Sequence, residues 1–408
     1  MFAVWLILLL AQSPSFEAAL RAGLEALGRD DLASARTELE SAANLRPDQP
    51  QVWLGLAQTY WKLHESQKAG SAAEKAEHLA PSDPIVLKAL SVFYSETGAF
   101  EKAAQCAAGY AAKANADRGA YSRAMQLYLQ AGKAKPAIDL ARTALAVENR
   151  AEVRYLLGKA YAMDGRPAES VREMRAAIQL NPYEESYYFE LARDLLKHNS
   201  AQEAIQVLED GKKVFARSAQ IELTLGVAYY SMRRFPDAVE AFLRVIRIDP
   251  GVEQPYVFLG RMLEQTGGKL PEVTAAFGAL ATANPENYMA QFLYGKALVF
   301  GGKRDEAEAL LRKSIAENEE FWESHFELGG ALEGKRDFAG AAREFRRAAE
   351  LNPKNAGVHY RLARVYDRLG KAGEAKAEHA LHEQLTQEEN AFIRRQAGGM
   401  ERLEGQSR

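Results

Sequence analysis

Residues 219–250 of the 408-residue chain read AQIELTLGVAYYSMRRFPDAVEAFLRVIRIDP, and this stretch decides the fold. Gly226 and Tyr229 are spaced so that they share one face of a helix, behind a run of apolar residues. Ala238 begins the apolar face of a second helical pattern, which Pro250 ends. The stretch therefore predicts two antiparallel helices joined by a short turn and packed closely through small side chains.

The same pattern recurs along the chain in steps of 33 to 35 residues. The first column of mostly small residues, referred to below as the small column, consists of Gly23, Ala57, Ser91, Met125, Gly158, Ala192, Gly226, Gly260, Gly295, Gly329 and Ala363. The second column consists of Ala35, Ala69, Ala103, Ala137, Ser170, Ala204, Ala238, Val273, Ala307, Ala341 and Ala375. Eleven units therefore fit between Phe16 and Glu389.

Glycines and prolines mark the ends of the predicted helices. The turns inside the units are indicated by Gly98, Gly132, Gly165, Gly267, Gly302 and Gly370. Many units end at a proline, namely Pro47, Pro81, Pro182, Pro250, Pro285 and Pro353. Because glycine adopts positive φ without strain, we expect these glycines to end the first helix of each unit.

These columns resemble the tetratricopeptide repeat, whose pattern covers about nine-tenths of the chain. The repeat's positions are matched best by Trp53, Leu56, Tyr60, Ala69, Ala76 and Pro81. The resemblance implies an all-α fold, a right-handed α-solenoid of about eleven stacked helix-turn-helix repeats. First helices would line its concave face and second helices its convex face. The sequence departs from the family pattern where Met125 replaces the small residue and where Ala216 and Glu319 replace the proline.

The N-terminal run Phe2–Ala11, FAVWLILLLA, is apolar but too short to span a bilayer as a helix. Followed by small and polar residues, it is typical of a secretory signal. No Lys or Arg precedes the run and Pro14 lies close to the expected cleavage point, so a retained anchor or an apolar cap on the first helix stay as alternatives. We expect export to the periplasm or medium, or a cytoplasmic location if this segment is not a signal.

The chain is therefore predicted to have three parts. Residues 1–15 form a segment that resembles a signal peptide or an anchor, residues 16–389 form eleven repeats in one continuous solenoid, and residues 390–408 form a capping helix remnant and a frayed tail from Gly398. No second domain fits beside the repeats.

Composition excludes several classes of function. Lys and Arg number 52 against 55 Asp and Glu, a formal charge of -3, which does not favour a nucleic-acid partner. The one cysteine, Cys106, cannot form an intramolecular disulfide or a thiolate zinc cluster. No G-x-S-x-G, H-E-x-x-H or C-x-x-C motif occurs. We therefore predict no catalytic residue, no bound metal and no cofactor.

The best cluster of potential metal ligands lies in the last unit, at Glu378, His379, His382 and Glu383. Because no twelfth repeat covers that helix, polar residues are expected there for solubility alone. We favour this second interpretation.

The candidate binding residues lie on the presumed concave face. In several first helices a ring or apolar residue is followed four residues later by a cation, a spacing that keeps both on one side of the helix. The pairs are Tyr155 and Lys159, Phe189 and Arg193, Val257 and Arg261, Phe292 and Lys296, and Tyr360 and Arg364, with Phe326 as a further ring. Stacked, they would suit an acidic peptide or an amphipathic helix. Alternatively, the cations are solvated or paired with Glu190, Glu264 or Glu327.

The sequence thus predicts a non-catalytic protein–protein interaction scaffold. It would bind a peptide segment or a subunit on its concave face, in an envelope-associated assembly, without a nucleic-acid partner or a membrane span. Two alternatives stay open: an enzyme or enzyme-accessory protein, for example one that handles glycans in the groove, and a cytosolic regulator. The pattern does not indicate an oligomeric state.

Overall fold

The structure, a computed structural model, describes residues 15–114 and 117–405. These residues form 22 α-helices and two short 3-10 helices, and none of them lies in a β-strand. The all-α class of paired helices predicted from the repeats is therefore confirmed. The signal-like run Phe2–Ala11 lies outside the described residues, and its role stays a prediction.

The chain divides into two compact units, Met1–Asn199 and Ser200–Arg408. The first unit contains five helix pairs and one further helix. They are α1 (Phe16–Gly28) and α2 (Leu32–Leu45), α3 (Pro50–Lys62) and α4 (Ser66–Leu79), α5 (Pro84–Glu96) and α6 (Phe100–Ala111), α7 (Ala120–Gln130) and α8 (Ala134–Val147), α9 (Ala151–Met163) and α10 (Pro167–Leu180), and α11 (Glu185–Lys197).

The second unit begins with one helix and continues with five pairs. They are α12 (Ala201–Val214), then α13 (Ala219–Ser231) and α14 (Phe235–Ile248), α15 (Gln254–Arg261) and α16 (Leu270–Ala283), α17 (Tyr288–Phe300) and α18 (Arg304–Glu317), α19 (Trp322–Gly334) and α20 (Phe338–Leu351), and α21 (Ala356–Arg368) and α22 (Ala372–Gly405). Odd-numbered helices are thus the first helices of the predicted repeats.

One residue shortly before each even-numbered helix has positive φ, and these residues recur at the repeat length. All six predicted turn glycines adopt this conformation, with φ between 54° and 81°. The other five are Asp30, His64, Asn199, Arg233 and Arg336. The repeat therefore adopts this turn conformation with or without glycine. Glycine lowers the conformational free energy of the turn but does not determine it.

The small column is the point of closest approach between the two helices of a pair. A Cβ atom added at five of its glycines would lie only 2.5 to 2.8 Å from a large side chain sixteen residues later. These close neighbours are Gly23 and Leu39, Gly158 and Met174, Gly226 and Phe242, Gly295 and Leu311, and Gly329 and Phe345. The large members are all buried. In these five pairs a large side chain on the second helix therefore fills the space left by the missing side chain on the first.

The fourth pair, where Met125 replaces the small residue, packs in the same way, but with the large residue on the first helix and the small residue on the second. Met125 is completely buried, and the residue sixteen positions later is Ala141, which is also completely buried. Both belong to one core cluster with Ala137 and Ala144. The volume lost on one helix is thus supplied by the other, so the fourth pair still packs closely.

A second recurring contact fixes the entry to the first helices. The side chain four residues before the small column reaches the backbone carbonyl oxygen six residues before itself. Its nitrogen or hydroxyl oxygen lies 2.9 to 3.2 Å from that oxygen in Trp53 to Pro47, Tyr188 to Pro182, Tyr256 to Pro250, Gln291 to Pro285, His325 to Glu319 and His359 to Pro353. Because the acceptor is backbone, Glu319 replaces proline there without loss of the contact.

Two elements depart from the sequence prediction. Helix α15 ends at Arg261, and two 3-10 turns lead to α16 through Gly267, which has a φ of 54°. Gly260 and Val273 are thirteen residues apart, one more than the matching members of the two columns in the other repeats. This extra residue, together with Gly267 and Gly268, accounts for the early end. Helix α22 runs to Gly405, whereas a frayed tail was expected from Gly398. Glycine inside a helix costs only about 1 kcal/mol, which a long alanine- and glutamate-rich helix tolerates.

We predict that Gly226→Leu destabilises the second unit by about 1–3 kcal/mol, because the new side chain has to displace the Phe242 ring. Urea unfolding followed by circular dichroism measures the change. Gly70→Leu is the matched control, since Gly70 is also inside a helix but has no atom within 4 Å of an added Cβ. Partial recovery in Gly226→Leu/Phe242→Ala would support this pairing, and a Gly226→Leu variant as stable as the wild type would contradict it.

Candidate protein-binding surface

The predicted binding residues occupy two positions of each odd-numbered helix, three residues before and one residue after the small column. We call these the outer positions. Among the described residues, the side chains at the outer positions are half-buried or exposed, apart from Ser122 and Phe292. Neighbouring apolar positions on the same helices, such as Leu191 and Leu225, are completely buried. The outer positions thus carry side chains that the pairing of helices leaves accessible.

Three of the predicted ring–cation pairs come together. The cation lies 5.4 Å from the ring centroid for Lys159 and Tyr155, 5.8 Å for Lys296 and Phe292, and 5.7 Å for Arg364 and Tyr360. The Tyr155 ring also packs on the Tyr187 ring, with centroids 4.7 Å apart. Burial raises the pKa of Tyr155 to about 12, so its hydroxyl group is protonated and able to donate at neutral pH.

Two of the predicted rings serve packing. Phe292 is only 6% exposed because Phe321, which precedes the next first helix, lies against it with ring centroids 5.0 Å apart. The expectation that Phe292 lines an accessible groove is therefore wrong. Phe326 is half-buried and packs against Phe345 at 5.7 Å. Phe189 is half-buried and stays a candidate.

Several predicted cations are paired with carboxylates of the chain itself. Arg193 forms an ion pair with Glu190. The Lys296 ammonium lies 3.8 Å from Glu327, and the Arg364 guanidinium lies 3.8 Å from Glu333. Lys159 and Arg261 differ, since no carboxylate of the described residues lies within 4.0 Å of their charged groups. These last two are the cations that a partner would meet unpaired.

Helix α19 places carboxylates in surroundings poor in water. Loss of hydration raises the pKa of Glu327, although Lys296 and then Arg361 act in the opposite direction. Burial also raises the pKa of Glu323 on the same helix. This part of the surface therefore becomes less negative, and its own cations less neutralised, as the pH falls.

A pocket of about 370 Å³ opens between α5 and α7 in the first unit. Its lining consists of Lys88, Ser91, Val92, Ser95 and Glu96 from α5, Ala107 and Tyr110 from α6, and Ala120, Arg123, Gln126, Leu127 and Gln130 from α7. On both walls the lining residues are three or four apart, so each wall is one face of a helix. Val92 is 52% exposed there, which leaves apolar surface open to a ligand.

Charged groups gather at the end of this pocket where α5 and α7 begin. The Lys88 ammonium lies 5.4 Å from the centroid of the Tyr110 ring, and the Tyr110 hydroxyl group donates to Asp117 over 3.2 Å. Arg123 forms an ion pair with the same carboxylate. No carboxylate among the described residues lies within 4.0 Å of the Lys88 ammonium.

The sequence contained part of the signal for this pocket. Lys88 and Val92 hold the outer positions of α5, but here the cation precedes the apolar residue, so a search for a ring followed by a cation missed them. Tyr110 comes from α6, a second helix, and second helices were expected on the convex face. The connection 112–119 is also longer than its counterparts and separates two shortened helices.

The described residues contain no group of three or more His, Cys, Asp and Glu side chains placed to hold a metal ion. The candidate ligands of the last repeat contact different partners instead. Glu378 lies 2.6 Å from His359, His379 lies 3.0 Å from Asp367, and His382 lies 3.0 Å from the carbonyl oxygen of Ala356. Each histidine is thus engaged in a separate structural contact.

Cys106 is buried, and burial raises the pKa of its thiol to about 12. At neutral pH the thiol is therefore protonated and inert as a nucleophile, as its position among alanines indicates. Within the described part of the chain, the helices are all too short or too polar to cross a bilayer.

A comparison with models of known protein families finds the same kind of repeat. A family model described as tetratricopeptide repeat matches residues 20–84, 123–185, 189–253 and 295–356, and a second model with that description matches residues 332–385. The chain belongs to the tetratricopeptide repeat family. Members of this repeat family bind peptides or proteins, which supports an interaction scaffold. The unmatched stretch 85–122 contains most of the pocket lining.

Several solved structures are similar to this chain at low sequence identity. Yeast Tom70 is 15% identical, with 95% of this chain and 96% of that chain covered and a TM-score of 0.37. Cut9 in the Cut9–Hcn1 hetero-tetramer is 13% identical, with coverage of 91% and 94% and a TM-score of 0.39. MamA from Desulfovibrio magneticus is 16% identical, with coverage of 50% and 96% and a TM-score of 0.31. A search of curated proteins finds no match.

We predict that Glu327→Gln raises the free energy of unfolding at pH 7. Because the pKa of Glu327 is raised in the folded state above its ordinary 4.5, its contribution to stability is complete below that pH and is lost as the pH rises through the folded pKa. Removing the carboxylate removes this loss. The gain should therefore disappear when unfolding is measured in urea at a pH below 4.5.

The control is Glu320→Gln, which changes an exposed carboxylate in the preceding connection and should leave stability unchanged at both pH values. A Glu327→Gln variant that is less stable than the wild type at pH 7 would show that the ion pair with Lys296 outweighs the lost hydration.

Proposed function

We propose that the chain is a non-catalytic scaffold that binds a peptide segment or subunit of a protein partner along its odd-numbered helices. One observation carries this proposal. In both units several outer positions keep ring-bearing or cationic side chains accessible, while apolar positions on the same helices, such as Leu191 and Leu225, are completely buried. A surface used only for packing would have no need of rings and guanidinium groups at its accessible positions.

The chemistry of these side chains suits a partner that offers both apolar and acidic groups. In the first unit the accessible set consists of Tyr155, Lys159, Phe189 and Arg193, and in the second unit it consists of Arg261, Tyr360 and Arg364. Aromatic and arginine side chains are the usual anchors of protein interfaces. Since the helices that carry them are already formed and packed, the protein loses little conformational freedom when it binds.

We further propose that this scaffold works outside the cytoplasm, in an envelope-associated assembly. The apolar run Phe2–Ala11 followed by small and polar residues supports export. Mass spectrometry of the protein made in its native host should find a mature N-terminus between residues 11 and 16. Full-length protein recovered from the cytoplasmic fraction would contradict export and leave the scaffold itself unaffected.

The proposed binding surface is tested by reversing two of its unpaired cations, one in each unit. We expect Lys159→Glu/Arg261→Glu to lose most of the protein that the wild-type chain captures from a native extract, as identified by mass spectrometry. The expected loss is about ten-fold in recovered partner, which corresponds to about 1.4 kcal/mol of binding free energy. Helicity should not change, because neither side chain takes part in an ion pair of the described structure.

The matched control is Lys135→Glu/Lys313→Glu, which makes the same change of charge in the same two units on the second helices α8 and α18. Both lysines are exposed. Equal loss of partner in both double variants would mean that net charge alone governs capture. Unchanged capture by Lys159→Glu/Arg261→Glu would overturn the role of the outer positions.

A further inference from the structure

The pocket between α5 and α7 defines the partner more closely, an inference that rests on the proposed scaffold function. We infer that it binds an extended segment of the partner in which a large apolar side chain has an acidic residue two positions away on one side and a basic residue two positions away on the other. The acidic residue lies toward Lys88 and the basic residue toward Glu96.

The size and floor of the pocket call for a large apolar side chain. A volume of about 370 Å³ accommodates such a side chain together with adjoining backbone. Val92 and Leu127 face it from the two walls, and Ala107 and Ala120 leave space beneath them. Burying the exposed part of Val92 and the face of Tyr110 against an apolar ligand would remove apolar surface from water.

The neutral polar side chains of the walls suit the backbone of an extended segment. Ser91 and Ser95 on α5 face Gln126 and Gln130 on α7 across the pocket. Hydroxyl and carboxamide groups both donate and accept hydrogen bonds, so they can pair with backbone N–H and C=O groups alike. An extended chain leaves those groups unpaired and therefore needs such partners.

Charge sets the order of the flanking residues. Lys88 and Glu96 lie at opposite ends of the α5 wall, and neither forms an ion pair of 4.0 Å or less with a described residue. Arg123 is at the Lys88 end, where Asp117 already neutralises it. An acidic group of the ligand would therefore meet Lys88 at one end, and a basic group would meet Glu96 at the other.

The spacing of the helix agrees with that of an extended chain. Lys88, Val92 and Glu96 are four residues apart, which is about 6 Å along a helix at 1.5 Å per residue. Alternate side chains of an extended segment point to the same side and are about 6.6 Å apart. Three alternate side chains, acidic, apolar and basic, thus fall in register with the three positions of α5.

Fluorescence anisotropy with the full-length protein tests this inference. The probes are labelled Gly-Ser-Asp-Ser-Trp-Ser-Lys-Ser-Gly and its reversed sequence, which cover both chain directions. We expect at least one probe to bind the wild type, and Val92→Asp and Lys88→Glu each to weaken that probe by about ten-fold. The reversed sequence is also the first probe with Asp and Lys exchanged, so the probe that binds the wild type less tightly should gain affinity for Lys88→Glu/Glu96→Lys.

The control for folding and for added charge is Ile85→Asp. Ile85 is 74% exposed on the same helix and lies outside the pocket, so its replacement should leave probe affinity unchanged. Circular dichroism should give equal helicity for all variants, since Lys88 and Val92 are both exposed.

Two results would overturn the inference: neither probe binds the wild type, or a probe binds Val92→Asp and Lys88→Glu as tightly as the wild type. Both would leave the scaffold proposal standing if the charge-reversed Lys159→Glu/Arg261→Glu chain still loses its captured partner. Conversely, probe binding that depends on Lys88 and Val92, together with unchanged capture by that double variant, would confine the binding surface to the pocket.

Discussion

Close approach of two helices at one small residue is the constraint on which every repeat depends. At five of the six glycines of the small column, a large buried side chain sixteen residues later fills the space that a Cβ atom would need, as Phe242 does over Gly226. Where the column holds Met125, Ala141 gives way instead. Between these repeats the pair keeps one large and one small member although their positions are exchanged, which is how a packed interior tolerates exchange of large and small residues. This face of a first helix packs against the second helix, whereas the outer positions of the first helix stay accessible to a partner.

Much of the fold could be predicted because its determinants lie within one repeat. The spacing of the columns indicated helices, and the predicted turn residues, such as Gly98 and Gly302, do adopt positive φ. Features that depend on neighbouring repeats could not be read from that pattern. Phe292 is buried because Phe321 of the next repeat covers it, and the pocket exists because Tyr110 on a second helix contributes to a space between two first helices. A pattern read one repeat at a time contains neither contact.

The electrostatics separate residues with the same sequence signature. Lys296 and Arg364 lie beside carboxylates of α19, which neutralise part of their charge. Lys159, Arg261 and Lys88 have no such partner among the described residues. An unpaired surface cation does not have to break an ion pair within its own chain when a partner binds. These three are therefore the better candidates for contact with an acidic partner. Partner binding is therefore expected at the few outer positions whose charged side chains are not paired within the chain.

The most direct measurement of the central claim is a double-mutant cycle at the fourth pair, where nature has exchanged the sizes. Met125→Gly alone should leave a cavity, and Ala141→Phe alone should overpack against Met125. Together they recreate the arrangement of Gly226 and Phe242. Urea unfolding should show the double variant to be more stable than the sum of the two single effects, by a coupling of about 0.5–3 kcal/mol. Strictly additive effects would contradict the account that complementary volumes at this spacing hold these helix pairs together.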